Sequence, residues 1–98
     1  QAIGTLEFIK SNPFGLAYNN STSITISGDI CVIHAIVFNG YEYGEYSFTS
    51  LKDESFSTTI RTVNNGAMLV INKSGTSIQL TARDVYGANG VIYEFSYA

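Results

Sequence analysis

One uninterrupted apolar run constrains this chain more than any other feature. The run, Ile30–Phe38, contains no charged residue, glycine or proline, and most of its members are Ile, Val or Phe. Such side chains favour an extended strand, because β-branched residues lose rotamers in a helix and pack well on a pleated surface. Since alternate residues point to opposite faces and both faces here are apolar, the run predicts a central strand with protein on each side.

The two faces of this strand have different expected roles. We expect Val32 and Ile36 to lie in the core, together with Val70 of a later strand. The reverse side would then carry Ile33 and Val37, joined by Leu69 or Ile92. A two-layer sandwich has one interior, so this second apolar surface predicts association into a closed oligomer.

Alternating hydrophobicity and turn residues predict seven further strands: Thr5–Lys10, Thr22–Ile26, Tyr41–Thr49, Phe56–Val63, Met68–Ile71, Ser77–Arg83 and Val91–Tyr97. No segment has helical periodicity, so the chain is predicted to be all-β. The expected fold is one domain, residues 1–98, with about eight strands in an antiparallel β-sandwich of jelly-roll-like type.

The connections are also predicted from composition. Gly28-Asp29 and Asn39-Gly40 should each close a hairpin on the central strand, and Gly44 should mark a bulge or a close backbone approach. Two segments, Ser11–Ser21 with the single proline and Asp84–Gly90, are expected to be surface loops.

Composition excludes several classes of function. A net charge of −3 with five Lys and Arg argues against nucleic-acid binding, which needs clustered cations. No apolar run is long enough to span a bilayer, so membrane insertion is not expected. Only 13% of residues are charged, which suits a chain that buries surface in an oligomer. A sequence that opens on Gln1 rather than Met is expected to be a fragment or a trimmed chain.

No residue pattern indicates catalysis, a metal site or a cofactor. Cys31 and His34 are the only Cys and His, and their odd separation places them on opposite faces of a strand. His34 is therefore interpreted as a core or interface histidine. No phosphate-binding glycine loop and no metal-ligand spacing occurs, and the aspartates at turns are interpreted as caps of backbone amides. The chain is predicted not to be an enzyme.

Tyrosines beside polar residues are the candidate binding residues. A tyrosine offers a flat apolar ring for sugar C–H groups, and neighbouring carboxylates and amides offer partners for sugar hydroxyls. The alternative is that strand tyrosines only pack across strands. The residues proposed on this basis for a saccharide site are Tyr41, Tyr43, Tyr46, Asp84, Tyr86 and Asn89.

Three segments, Thr22–Phe38, Asn65–Leu80 and the ending Val91–Tyr97, together resemble the C-terminal head domain of receptor-binding proteins from phages of Gram-positive bacteria. In that family a hairpin on the central strand precedes a meander with a short Gly turn, and a strand ending in aromatic–Ser–Tyr closes the domain. The resemblance implies a homotrimeric, non-enzymatic head at the phage tail tip or baseplate, outside the cell, that binds a cell-surface saccharide of the host.

A second hypothesis stays open from the sequence. The chain would then be a structural or interaction β domain, immunoglobulin-like or fibre-accessory, of a virion or bacterial surface protein, and it would bind only protein. Saccharide binding by the purified domain distinguishes the two hypotheses.

Overall fold

The structure is a computed structural model that describes residues 4–40, 42–62, 68–83 and 87–97. These residues form eight strands and no helix: β1 (Leu6–Leu16), β2 (Ser21–Thr25), β3 (Ile30–Asn39), β4 (Glu42–Leu51), β5 (Phe56–Arg61), β6 (Met68–Ser74), β7 (Ser77–Arg83) and β8 (Gly87–Tyr97). The strands make two antiparallel sheets, sheet A in the order β1-β8-β3-β4 and sheet B in the order β2-β7-β6-β5. The all-β, sandwich-type prediction is confirmed.

Strand β3 is an interior strand, as predicted, but the face that points into the core is the opposite of the one predicted. Its fully buried side chains are Cys31, Ile33, Ala35 and Val37. Ile36 is 36% exposed on the other face, and Val32, on that same face, is half-buried. The prediction that Val32 and Ile36 form the core is therefore wrong. Both faces of the strand are apolar, so alternation alone could not indicate which face turns inward.

One core cluster contains buried residues from both sheets. Leu69 and Ile92, which were expected on the reverse side, are fully buried in this cluster, and Val70 is only half-buried. The remaining members come from six strands and the segment after β2: Phe14, Leu16, Ile26, Cys31, Ile33, Ala35, Val37, Ile60, Ile71, Ile78, Leu80, Ala82 and Ala88. The alternation of β7 correctly predicted Ile78, Leu80 and Ala82 as inward residues.

Strand β1 is longer than the sequence predicted. It continues to Leu16 and includes Pro13, in a segment that was expected to be a loop. The strand lies at the edge of sheet A and pairs only with β8, and an edge strand tolerates a residue without a backbone N–H. A register shift between Phe8 and Lys10 interrupts the pairing.

The segment between β2 and β3 is not a hairpin, contrary to the prediction. Strand β2 pairs with β7 in sheet B, whereas β3 belongs to sheet A, so the chain crosses between the two layers here. Gly28 is buried at this crossing, and a Cβ on it would lie 2.8 Å from the carbonyl oxygen of Phe95. Only glycine fits this approach without movement of the backbone.

The hairpin between β3 and β4 is confirmed. Asn39 pairs with Glu42, and Gly40 has a φ of 64°. Pairing with β3 continues without a shift past Gly44, so this glycine is not a bulge. A Cβ on Gly44 would lie 2.8 Å from the carbonyl oxygen of Arg61, which confirms the alternative of a close backbone approach.

The later loop prediction is partly wrong. Residues 87–90 belong to β8, which begins at Gly87 and pairs with both β1 and β3. Asp84, Val85 and Tyr86 lie outside the described residues. No helix in the described part of the chain is long and apolar enough to cross a membrane.

Replacing Ile33 by Ala should destabilise the domain by about 2–5 kcal/mol, because the side chain is fully buried. The matched control is Ile9→Ala, which removes the same atoms from a side chain that is 42% exposed and should cost about 1 kcal/mol or less. Urea denaturation measures both changes. Equal losses would contradict the assignment of Ile33 to the interior.

Candidate functional site

The described members of the predicted saccharide site lie on two different faces of sheet A. Tyr43 is exposed on the outer face of sheet A, where it pairs with Phe38. Tyr46 lies on the inner side of the same strand, packs against the core and donates a hydrogen bond of 2.8 Å to the carbonyl oxygen of Arg61. Asn89 is exposed on β8, on the same outer face as Tyr43, and it pairs with Ile36. The other three proposed residues, Tyr41, Asp84 and Tyr86, lie outside the described residues, so the proposed set stays a prediction.

A cleft that the sequence did not indicate lies where β4 turns into β5, beside the end of β8. It has a volume of about 340 Å³ and is lined by Asp29, Leu51, Lys52, Asp53, Glu54 and Tyr97. The lining combines carboxylates, one ammonium, an aliphatic side chain and an aromatic ring. This is the candidate functional site.

A buried lysine holds one wall of this cleft. Lys73, on β6, is only 3% exposed, and its ammonium donates to three backbone carbonyl oxygens of the turn. The acceptors are the carbonyls of Leu51 at 2.8 Å, Lys52 at 3.2 Å and Glu54 at 2.7 Å. Because an ammonium has three N–H donors, this arrangement gives each donor of the buried group an acceptor. Residues 51–54 are thereby tied to sheet B.

The turn is also stabilised from within by its own carboxylate. The Glu54 Oε1 atom accepts a hydrogen bond of 2.7 Å from the backbone N–H of Leu51, and the Glu54 N–H donates to the Leu51 carbonyl at 3.1 Å. One oxygen of the Glu54 carboxylate therefore faces the backbone of its own turn, and both Asp53 and Glu54 are exposed on this wall.

A buried glutamate holds the loop that forms the opposite wall. Glu94, on β8, is fully buried, and its carboxylate accepts hydrogen bonds from the backbone N–H groups of Ser27 at 2.8 Å and Gly28 at 3.0 Å. The side-chain amide of Asn12 donates to its other oxygen at 2.7 Å. These bonds fix the crossing between β2 and β3 against sheet A.

The pKa of Glu94 reflects two opposed effects. Burial raises the pKa of this carboxyl, because it disfavours the charged form. The hydrogen bonds from Ser27, Asn12 and Gly28, together with the charge of Lys10, lower it. The net result is a pKa below the ordinary value, so Glu94 is ionised in the folded protein at neutral pH.

Asp29 joins the two walls. Its carbonyl oxygen accepts from the Lys52 N–H at 2.8 Å, and its carboxylate accepts from the Tyr97 N–H at 3.0 Å. The loop after β2, the turn after β4 and the end of β8 are thus hydrogen-bonded to one another. A cleft built in this way presents fixed polar groups to a ligand.

The chemistry of the cleft suits a neutral polyhydroxylated ligand. Carboxylate oxygens accept hydrogen bonds from hydroxyl groups, and the Tyr97 ring, which is 59% exposed, offers an apolar face for C–H groups. No group of three or more His, Cys, Asp or Glu side chains within the described residues could hold a metal ion.

The two residues considered for catalysis lie apart. Cys31 is buried in the core, and burial raises the pKa of its thiol, which disfavours the reactive thiolate. His34 lies on the outer face of sheet A, where its Nε2 atom is 2.8 Å from Glu45 Oε2. The structure therefore places the thiol and the imidazole on opposite faces of β3, as their spacing predicted.

Sequence reasoning missed Lys73 and Glu94, although each carries a signal. Both occupy inward positions of their strands. Lys73 lies on the same face of β6 as Leu69 and Ile71, and Glu94 follows Ile92 by two residues on β8. A single charge at an inward position of an alternating strand indicates a buried charge that needs partners. Their partners are 19 to 82 residues away in sequence, so the pattern could not identify them.

Replacing Lys73 by Met should loosen the turn at residues 51–54, because three carbonyl oxygens lose their common donor. We expect a loss of about 1–3 kcal/mol in the free energy of unfolding and faster hydrogen exchange at the amides of Lys52 and Glu54. The control, Lys10→Met, removes an exposed ammonium and should leave exchange in the turn unchanged. Unchanged exchange in Lys73→Met would contradict its assigned role.

Glu94 should make the stability of the domain depend on pH. Because its folded-state pKa lies below the ordinary value of 4.5, its stabilisation is complete well above that pH and is lost as the pH falls through the folded-state pKa. The variant Glu94→Gln should therefore show a flatter fall in thermal stability at acid pH than the parent. Glu7→Gln, at an exposed position, should follow the parent curve. A parent and a Glu94→Gln variant with equal slopes would contradict this prediction.

Comparison with known proteins identifies no relative of this chain, since no family model matches it and no curated protein or solved structure is significantly similar to it.

Proposed function

We propose that this domain is a non-enzymatic host-recognition module of a phage tail or baseplate that binds a bacterial cell-surface saccharide. The resemblance of three segments to phage receptor-binding heads supports the class of function and the homotrimeric assembly. The cleft at residues 51–54 supports the binding of a saccharide, and it adds a candidate position for that site. In this proposal the protein acts outside the cell, as part of the virion.

The construction of the cleft is the observation that carries the proposal. Burying a charged group is costly unless every polar atom finds a partner, and this small domain buries two such groups, Lys73 and Glu94, beside one cleft. Both act on loop backbone rather than on each other. A binding site gains from this because loops that are already ordered lose less conformational entropy when a ligand binds.

The alternative function is a structural or interaction domain that binds only protein. The specific observation that favours it is the apolar outer face of sheet A, which includes exposed aromatic residues such as Phe8 and Tyr97. The two functions are compatible with one fold, and they differ in whether the purified domain binds glycans. A glycan array therefore separates them directly.

Replacing Asp53 by Ala should weaken binding to host cell-wall polysaccharide about tenfold or more, because the cleft loses an exposed hydrogen-bond acceptor. The matched control is Glu7→Ala, which removes an exposed carboxylate from β1, outside the cleft lining, and should bind like the parent. Titration calorimetry or cell binding with the purified domain measures the effect, after a glycan array has selected the ligand.

A third variant tests the other position proposed for the site. If Tyr86→Ala loses binding and Asp53→Ala does not, the saccharide binds at residues 84–86 rather than in the cleft. Absence of binding to any glycan or candidate host cell by the parent would contradict the recognition function itself and favour the protein-binding alternative.

A further inference from the structure

We infer that the outer face of sheet A is a self-association surface that a second copy of this chain covers. The inference concerns the packing of this face against the same face of a second copy, and it depends neither on saccharide binding nor on the proposed homotrimer. The face is defined by its apolar members outside the cleft, which lie on all four strands: Leu6, Phe8, Pro13, Ile30, Val32, Ile36, Phe38, Tyr43, Val91, Tyr93 and Phe95.

The strand register makes this face continuous. Phe95 of β8 pairs with Phe8 on one side and with Ile30 on the other, and Ile30 pairs in turn with Leu51. One row of apolar side chains therefore crosses the whole width of the sheet. In the next row Tyr93 and Val32 are apolar, whereas the edge positions are Ser11 and Thr49. The apolar side chains of the two rows are contiguous rather than scattered, and contiguous apolar patches mark interaction sites.

Aromatic side chains on this face pack against one another. The ring centroids of Phe8 and Phe95 are 5.8 Å apart, and those of Phe8 and Tyr93 are 6.4 Å apart. Phe8 is nevertheless 57% exposed. Aromatic residues that pack on one another yet remain open to solvent are typical of the centres of protein interfaces.

The outer face of sheet B shows what a solvent-facing sheet looks like in the same molecule. The register places hydroxyl and amide side chains across it: Ser21, Ser23, Thr25, Ser57, Thr59, Asn72, Ser74, Ser77, Gln79 and Thr81. Among the described residues of this face only Met68 and Val70 are apolar, and Met68 lies between Arg61 and Arg83. The outer face of sheet B is therefore mainly polar, whereas the outer face of sheet A is mainly apolar and is poorly solvated by water.

The size of the face matches what a specific interface needs. Neighbouring strands are about 4.8 Å apart and same-face residues about 6.8 Å apart, so four strands and five rows occupy roughly 650 Å² of sheet. Side-chain relief increases the accessible area above this value. Two copies would therefore bury on the order of 1,000–1,400 Å² in total, which reaches the range of specific interfaces.

The charges on the face favour an identical partner. Among its described residues the ionisable groups other than tyrosines are His34 and Glu45, which are 2.8 Å apart and partner each other. The Glu45 carboxylate is therefore already hydrogen-bonded within its own face, and it keeps this partner when a second copy covers the face. One carboxylate among apolar groups suits an equally apolar partner, such as the same face of a second copy. Two such sheets can pack about 10 Å apart, as the layers of a sandwich do.

Light scattering coupled to size exclusion tests the inference at micromolar concentration and without saccharide. We expect the parent to have a mass that is a multiple of 10.7 kDa. Ile36→Lys places an ammonium in the middle of the face beside Glu45, and it should reduce the mass to that of one chain. Tyr93→Lys is a second variant of the same face. The matched control, Gln79→Lys, adds the same charge to the exposed face of sheet B and should keep the parent mass.

Circular dichroism and thermal denaturation establish that each variant is folded. A parent that is monomeric at micromolar concentration would overturn the inference. It would equally be overturned if both Ile36→Lys and Tyr93→Lys kept the parent mass, or if Gln79→Lys alone dissociated. A parent that assembles as expected but binds no glycan would contradict the saccharide function and leave the self-association surface supported.

Discussion

Strand β8 is the element on which sheet A depends, because it lies between β1 and β3 and pairs with both. Leu6 pairs with Tyr97, so the sheet closes only when the two ends of the chain are side by side. Such pairing has a high loop-closure cost and makes folding slow. The same strand supplies Ile92 to the core and Glu94 to the crossing between β2 and β3. The interior, the cleft and the apolar face therefore share one strand.

The inward-facing residues could be predicted where polar and apolar side chains alternate along a strand, and they could not be predicted where both faces are apolar. Strand β7 was predicted with its correct bounds and inward residues, because polar and apolar side chains alternate along it without exception. Strand β3 was placed correctly in the sheet, but its faces are equally apolar, and the period of two gives no sign for the inward direction. Pro13 was interpreted as a loop residue, since the sequence does not show that its strand would lie at an edge.

The cleft could not be predicted from the sequence, for a different reason. Asp29 and Asp53 were interpreted as residues that cap turns, and Asp29 does accept a hydrogen bond from the Tyr97 backbone. What makes a cleft of these turns is their attachment to the sandwich by Lys73 and Glu94. Each attachment joins a side chain on a strand, β6 for Lys73 and β8 for Glu94, to backbone atoms of a loop that is distant in sequence. Local pattern carries no information about such pairs, although it does show two charges at positions meant for apolar residues.

The position of Lys73 gives the turn beside the cleft a property that loops built around metal ions do not share. Carbonyl oxygens that converge on one positive charge are the usual arrangement around a bound Ca²⁺ ion. Here the charge is a covalent part of β6, so it is present at a high effective concentration whatever the composition of the medium. No chelator can remove it and no competing ion can replace it. The geometry of this wall is therefore set when the chain folds, and it is independent of the supply of any ion.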